Sequence, residues 1–398
     1  MQFSQIAGHT ELKSKLVQLV AQNRLSHALL FLGKEGSGSL QMAIALAQYI
    51  VCENNKPSQA DPAASLFGDA EPARTEFLSD ACGTCPSCQK ASALIHPDIH
   101  YSFPTITRPD LDKPKCNDFI VEWRNFIKQI PFGNAYDWLQ SIGAENKQGN
   151  ITAHECEDII RKLNLKSFES GYKILIQWLP EYLGDTGNKL LKMIEEPPAN
   201  TLFILIAEDE SRIIQTILSR TQLVKVNRIE VDEVEEWLIS TQAVPRDKAQ
   251  TIASLSQGNL REAFHILHNS DEDWHEMLRE WLNSILKNGP VSQVKWIDEV
   301  SKLGREKQKQ FLAYFTHLLG TALHERIMGT SQGAGPNEVD FAQRFNKLAE
   351  PEQLEAIVNE LDKATYYIER NANPKMLFMA LTLKIYHIIK DKSVILMN

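Results

Sequence analysis

Two periods govern the apolar positions of the first 230 residues, and one governs the rest. Leu12, Leu16, Leu19 and Val20 recur at helical spacing. Residues 28–32, Ala-Leu-Leu-Phe-Leu, form a short unbroken apolar run before a Gly-rich loop, the pattern of a strand buried on both faces. After the loop from Gly33 to Ser39, the positions Met42, Ile44, Ala45, Ala47 and Ile50 predict a buried helix. Further strands are predicted at 99–103, 172–176, 201–206 and 223–226. Helices are predicted around Ile159, Ile160, Leu163 and Leu165, over 189–196 up to the stop at Pro197-Pro198, and through Ile213, Ile214 and Ile217. Strands alternating with helices imply an α/β domain with a mainly parallel sheet. Beyond about residue 228 the helical period stands alone, with loops near Gln257-Gly258-Asn259, Asn288-Gly289-Pro290 and 329–336. This predicts a small helical module over about 228–272 and a larger bundle over 273–398. No fixed-period repeat is visible.

Two stretches break the α/β pattern. Residues 53–81 are rich in Asn, Lys, Pro, Ser, Asp and Ala and read as an exposed insertion, with a short helix near Ala64-Ser65-Leu66-Phe67. Residues 104–150 read as a second irregular zone carrying one amphipathic helix, marked by Trp123, Phe126 and Ile127.

Composition narrows the class. A chain of 398 residues allows about two to four domains. A hydrophobic fraction of 43% with 23% charged residues excludes a disordered chain. The net charge of −9 argues against a surface that grips DNA on its own, which needs clustered Lys and Arg. No apolar run approaches a membrane span, and the first residues lack the basic start, apolar core and cleavage site of a signal peptide. A cytoplasmic setting is expected, and there six cysteines call for an explanation other than disulfides.

The loop after the first strand has the frame of a phosphate-binding loop, G-x-x-x-x-G-K-[ST], without its chemistry. Gly33 and Gly38 hold the glycine positions. Ser39 replaces the lysine that neutralises the terminal phosphates, and Leu40 replaces the magnesium-binding hydroxyl. Lys34 sits at the wrong end of the loop to substitute. After the strand at 172–176, Gln177 stands where a magnesium-binding Asp is expected, and Glu181 alone is weak evidence for catalysis. Cys82, Cys85 and Cys88 place three thiols in one tight turn, and Cys52, at the end of the preceding helix, is the natural fourth ligand of a tetrahedral zinc site. A redox pair is the other chemistry a C-x-x-C offers. Cys116 and Cys156 fall outside this pattern. His96-Pro97-Asp98 also marks J-domain cochaperones, but here it follows the cysteine turn and leads into a strand. His27 and His96 read as turn or core histidines.

Several strings resemble the clamp-loader branch of the AAA+ family. They are Ile6-Ala7-Gly8-His9, Arg24 through Gly33, the run Asn188-Lys189-Leu190-Leu191-Lys192-Met193-Ile194-Glu195-Glu196-Pro197-Pro198, and Ser219-Arg220-Thr221, which has Thr where the family has Cys. The resemblance covers 1–52, 82–101 and about 151–265. It is weaker in the last bundle, where Asn371-Ala372-Asn373-Pro374 looks familiar. It implies an AAA+ parallel-sheet core with a zinc module over 1–227, a helical lid over 228–272 and an all-α collar for oligomerisation over 273–398. It implies a structural zinc held by Cys52, Cys82, Cys85 and Cys88, with 53–81 an insertion inside that module. With the lysine lost, it implies a subunit without ATP binding or hydrolysis of its own, within the DNA polymerase III holoenzyme. Arg220 then serves as an arginine finger to a neighbouring ATPase, with Ser219 shaping its turn. Arg261, in Gly258-Asn259-Leu260-Arg261, matches the family's phosphate-sensing lid arginine. The implied partners are gamma/tau and delta subunits in a heteropentameric ring, and through it the sliding clamp and primed DNA. Two rivals are an ATP-hydrolysing gamma/tau-like subunit, which Ser39, Leu40 and Gln177 oppose, and a zinc-dependent regulatory or DNA-binding module, which the acidic charge opposes.

Overall fold

The computed structural model describes residues 1–55, 78–109, 111–144, 149–268, 274–328, 336–370 and 372–390. The short helix expected near 64–67, the expected loop at 329–335 and Asn371 lie outside them. Each predicted apolar run becomes a strand: β1 (Ala28–Leu32), β2 (Ile99–Ser102), β3 (Lys173–Trp178), β4 (Thr201–Ala207) and β5 (Gln222–Lys225). All pairings are parallel, in the order β2-β3-β4-β1-β5. Leu30 of β1 lies between Leu205 of β4 and Leu223 of β5.

Parallel strands cannot be joined by tight turns, so helices carry the chain between them. Those of the sheet-bearing part are α1 (Thr10–Ala21), α2 (Ser39–Val51), α3 (Pro86–Ser92), α4 (Ile120–Gln129), α5 (Ala135–Ser141), α6 (Ala153–Leu163), α7 (Leu191–Glu195), α8 (Gln215–Leu218) and α9 (Val231–Gln242). Alternate strand residues enter two cores. Leu29, Phe31, Ile174, Ile176, Trp178, Leu202, Ile204 and Ile206 pack with α2, Trp123 and Trp138. Ala28, Leu30, Leu175, Phe203 and Leu205 pack with Ile159 and Leu163 of α6 and with Met193 and Ile194 of α7. Burial on both faces explains why these strands read as continuous apolar runs.

The pattern erred in its details. Residues 104–150 carry the expected amphipathic helix, α4, and a second helix, α5, that the pattern did not show; Trp123, Phe126 and Trp138 are fully buried, with Phe103 stacked on Trp123 at 4.3 Å. The expected helix at 189–196 is a 3₁₀ stretch, Gly184–Leu190, followed by the short α7. Ile213 and Ile214 are extended, so α8 starts only at Gln215. Leu165 lies beyond the end of α6 and is exposed.

The chain divides into two compact units. The first is Met1–Gln242 with Ser256–Phe264, and the second is Ala243–Leu255 with His265–Asn398. Helix α10 (Arg246–Ser256) and helix α11 (Leu260–His268) straddle the division. The second unit continues with α12 (Trp274–Asn283), α13 (Pro290–Val300), α14 (Arg305–Met328), α15 (Pro336–Phe345), α16 (Pro351–Glu369) and α17 (Pro374–Lys390). Among the described residues no strand follows Lys225, as the pattern predicted. No helix among them is long and apolar enough to cross a membrane.

Candidate functional site

The strand order places β1 between β4 and β5, so the chain departs to both sides of it. The crevice outside the carboxyl ends of strands at such a point is where open parallel sheets bind ligands. The loop from Gly33 to Ser39 lies there. Gly33 donates its N–H to the Ala207 carbonyl of β4 at 3.0 Å, and Gly38, at φ +82°, caps α2. A side chain at Gly33 would collide with the hydroxyls of Ser37 and Ser39, which bond each other at 2.7 Å. His9 Nε2 bonds the Ser37 carbonyl at 2.8 Å.

The space left over this loop is about 30 Å³, lined by residues 33–41 together with Phe132, Gly133, Trp178, Ile206 and Glu208. Ligand pockets are usually about 300–1,000 Å³. Carboxyl groups crowd this space. Burial first, then the carboxylates of Glu35 and Glu181, pushes Glu208 up to about 8, against the pull of Arg261 and Lys34. Gln177 is buried within β3, and its amide has no hydrogen-bond partner among the described residues. Glu181 is a backbone anchor: one oxygen accepts the N–H groups of Glu208 at 2.6 Å and Asp209 at 2.9 Å. Arg261 is 1% exposed and forks onto Asp137, with Nε to Oδ2 at 2.6 Å and Nη2 to Oδ1 at 2.8 Å.

Arg220 lies outside this cavity, in the turn between α8 and β5. Its side chain is about one-third exposed and pairs with Glu195 at the end of α7. Nη1 donates to the Thr216 carbonyl at 2.9 Å and to Ser219 Oγ at 3.0 Å, so the turn fixes the direction of the guanidinium.

The four sulfurs of Cys52, Cys82, Cys85 and Cys88 all lie within 4.8 Å of one another, close enough to bind one metal ion. Cys82 and Cys88 are 3.9 Å apart, against about 3.8 Å for thiolates on a tetrahedron with 2.3 Å Zn–S bonds. Backbone N–H groups point at the sulfurs: Cys82 to Cys52, Cys85 to Cys82 and Cys88 to Cys85, each at 3.4 Å. Burial works to raise Cys82, but N–H donors from Cys85 and Thr84 prevail and bring it to about 6. Burial raises Cys52 and Cys88. Cys116 and Cys156 lie apart from this cluster, both buried. His27 and His96 serve the fold: His27 Nε2 bonds the Ile194 carbonyl, and His96 Nδ1 accepts the Asp98 N–H.

Sequence reasoning missed Phe132, Asn134, Asp137 and Glu208. Only the spacing Asn134-x-x-Asp137, the signature of a helix start, could have flagged part of the group.

Residues 8–230 match the family described as DNA polymerase III, delta subunit. The delta' subunit of DNA polymerase III from Bacillus subtilis is 26% identical over 66% of this chain and 61% of its own length. The delta' subunit from Escherichia coli is 21% identical over 87% of this chain and 84% of its own. This chain thus spans under two thirds of the Bacillus relative. Tau and gamma subunits of the same polymerase also match, at 23% and 22% identity. Among solved structures, a DNA polymerase III gamma subunit-related protein from Thermotoga maritima is 15% identical, with a TM-score of 0.40 over 95% of this chain and 99% of that one.

Proposed function

The chain belongs to the delta-prime family of DNA polymerase III clamp-loader subunits, and on that premise we propose that it is a non-hydrolysing ring subunit whose one catalytic contribution is made in trans. One observation carries this reading. The phosphate loop keeps about 30 Å³, lacks the lysine and magnesium hydroxyl, and is walled by Glu208, while Arg220 is held at the surface. A loop without the lysine and the magnesium hydroxyl lacks the groups that would neutralise a triphosphate. An exposed guanidinium, steered by Ser219 and Thr216, can reach a phosphate that another subunit binds.

Arg220 is the arginine finger in this reading. The planar fork grips phosphoryl oxygens bidentately and stabilises charge developing on them, worth about 10³–10⁵ in rate. Glu195 keeps it parked until a neighbour docks. The partners are ATPase subunits of the gamma/tau kind and a delta subunit, assembled through the helical collar at 273–398, with residues 228–272 as the lid. Through the ring the subunit acts with the sliding clamp and primed DNA, in the cytoplasm. Cys52, Cys82, Cys85 and Cys88 would hold a zinc ion, whose contribution is structural because four thiolates leave no open coordination position. The acidic net charge suits a subunit whose partners make much of the DNA contact.

The test is Arg220→Ala in the assembled loader. The ring should form, and the turnover of the ATPase site that Arg220 serves should fall by about 10³-fold or more when clamp and primed DNA are present. An unchanged stimulated ATPase in an intact ring overturns the assignment.

A further inference from the structure

Residues 132–137 reach three separate elements of the first unit. The Phe132 ring meets Trp237 of α9 edge-on, with centroids 5.4 Å apart and planes at 84°. Asn134 Nδ2 donates to Glu35 of the phosphate loop at 2.7 Å. The Asp137 side chain, 3% exposed, takes Arg261, whose side chain is 1% exposed, in a bidentate ion pair. Arg261 follows Leu260, whose N–H donates to the Gly36 carbonyl at 3.0 Å, so the pair lies against the rim of the loop. Its charge also acts on Glu208, which lines the remaining cavity.

We propose that residues 132–137 are an internal ligand: the Asp137 carboxylate takes the place of a nucleotide phosphate at Arg261 and holds residues 256–264 at the phosphate loop without nucleotide, while Phe132 packs on α9. A carboxylate and a phosphate offer a guanidinium the same pair of oxygens. The pair is deeply buried, so removing either partner strands a charge out of water. Asp137 is also held from its own side. It stands in the first turn of α5, where Asn134 Oδ1 accepts its N–H at 3.1 Å and its Oδ2 accepts the Asn134 N–H at 3.0 Å. The anion is thus fixed before any ligand arrives. The inference rests on reading 33–40 as a degenerate phosphate loop and deepens it. The pocket is not merely deprived of nucleotide contacts, because the chain supplies the anion that a nucleotide would bring.

Hydrogen exchange of the full chain tests this, with Asp137→Ala, which vacates the place of the anion, and the double variant D137A/R261A. Asp137→Ala should speed exchange in 256–264 by about 10²-fold or more, the consequence of breaking a buried pair. Inorganic phosphate at millimolar concentration should restore part of the protection in D137A, and none in the double variant. Unaltered exchange in D137A, or equal rescue in the double variant, overturns the inference alone. Stabilisation of the wild-type chain by pyrophosphate or ATP also overturns it, and does so together with the non-binding reading of the loop.

Discussion

A carboxyl group at the mouth of a phosphate loop is an unusual choice, and Glu208 shows its cost. Unfolded, a glutamate ionises near 4.3. In the fold, burial and the neighbouring Glu35 and Glu181 carboxylates keep Glu208 protonated up to about 8. Between those values the native state binds more protons than the unfolded one. Stability therefore falls as pH rises from about 4.5 to about 8 and levels off above. Glu208→Gln removes that dependence. The variant should match the wild type at pH 5 and exceed it at pH 8 by on the order of 1 kcal/mol, the effect being reduced because Glu208 keeps some contact with solvent. Thermal melts at the two pH values decide it, and an equal gap at both would remove the assigned cause. Residues that a local motif marks, such as Ser39 and Leu40 in the loop, were legible in the sequence. Asp137 and Glu208 were not. Asp137 meets Arg261 across 124 positions, and no local pattern encodes a partner so distant.

The same contrast runs through the elements. A strand buried on both faces is a continuous apolar run, so β1 to β5 could be read directly, whereas their order depends on where the crossovers pack. Helix α4 was legible from the spacing of Trp123, Phe126 and Ile127, whereas α5 escaped notice because it is only seven residues long. The cysteine turn was legible because three of its thiols are close in sequence. Cys52 was legible from its place at the end of α2, and the fold brings its sulfur to the other three. Were the proposed zinc held there, four converging thiolates would share it, so losing one ligand should release the ion. Cys85→Ser should abolish stoichiometric zinc and destabilise the first unit, since Cys52, Cys85 and Cys88 belong to its main core. Metal analysis with thermal melting reads both effects. A variant that keeps wild-type stability while carrying no metal would falsify the structural role.

At the scale of the whole molecule, the two units have separate cores. The first is a sheet with apolar side chains on both faces. The second is helical and centred on Trp281, which stacks on Trp296 at 4.7 Å and 5°, meets Phe311, Phe315 and Phe378, and donates Nε1 to Thr382 Oγ1 at 3.0 Å. Trp281 is fully buried, so Trp281→Ala opens a cavity that the stacked rings cannot close and strands the Thr382 hydroxyl. The cost should be about 3–5 kcal/mol in the second unit. If ring assembly runs through that unit, as the proposed collar requires, the variant should fail to co-purify with its partner subunits. The cysteines lie in the first core, so the variant should keep whatever metal the wild type carries, one zinc per chain on the proposed reading. The two readouts together separate a local lesion from general unfolding. Loss of assembly with metal retained supports a collar in the second unit, and full assembly despite a melted second unit moves the ring contacts elsewhere. Loss of both would show that the cysteine module does not stand on the first core alone.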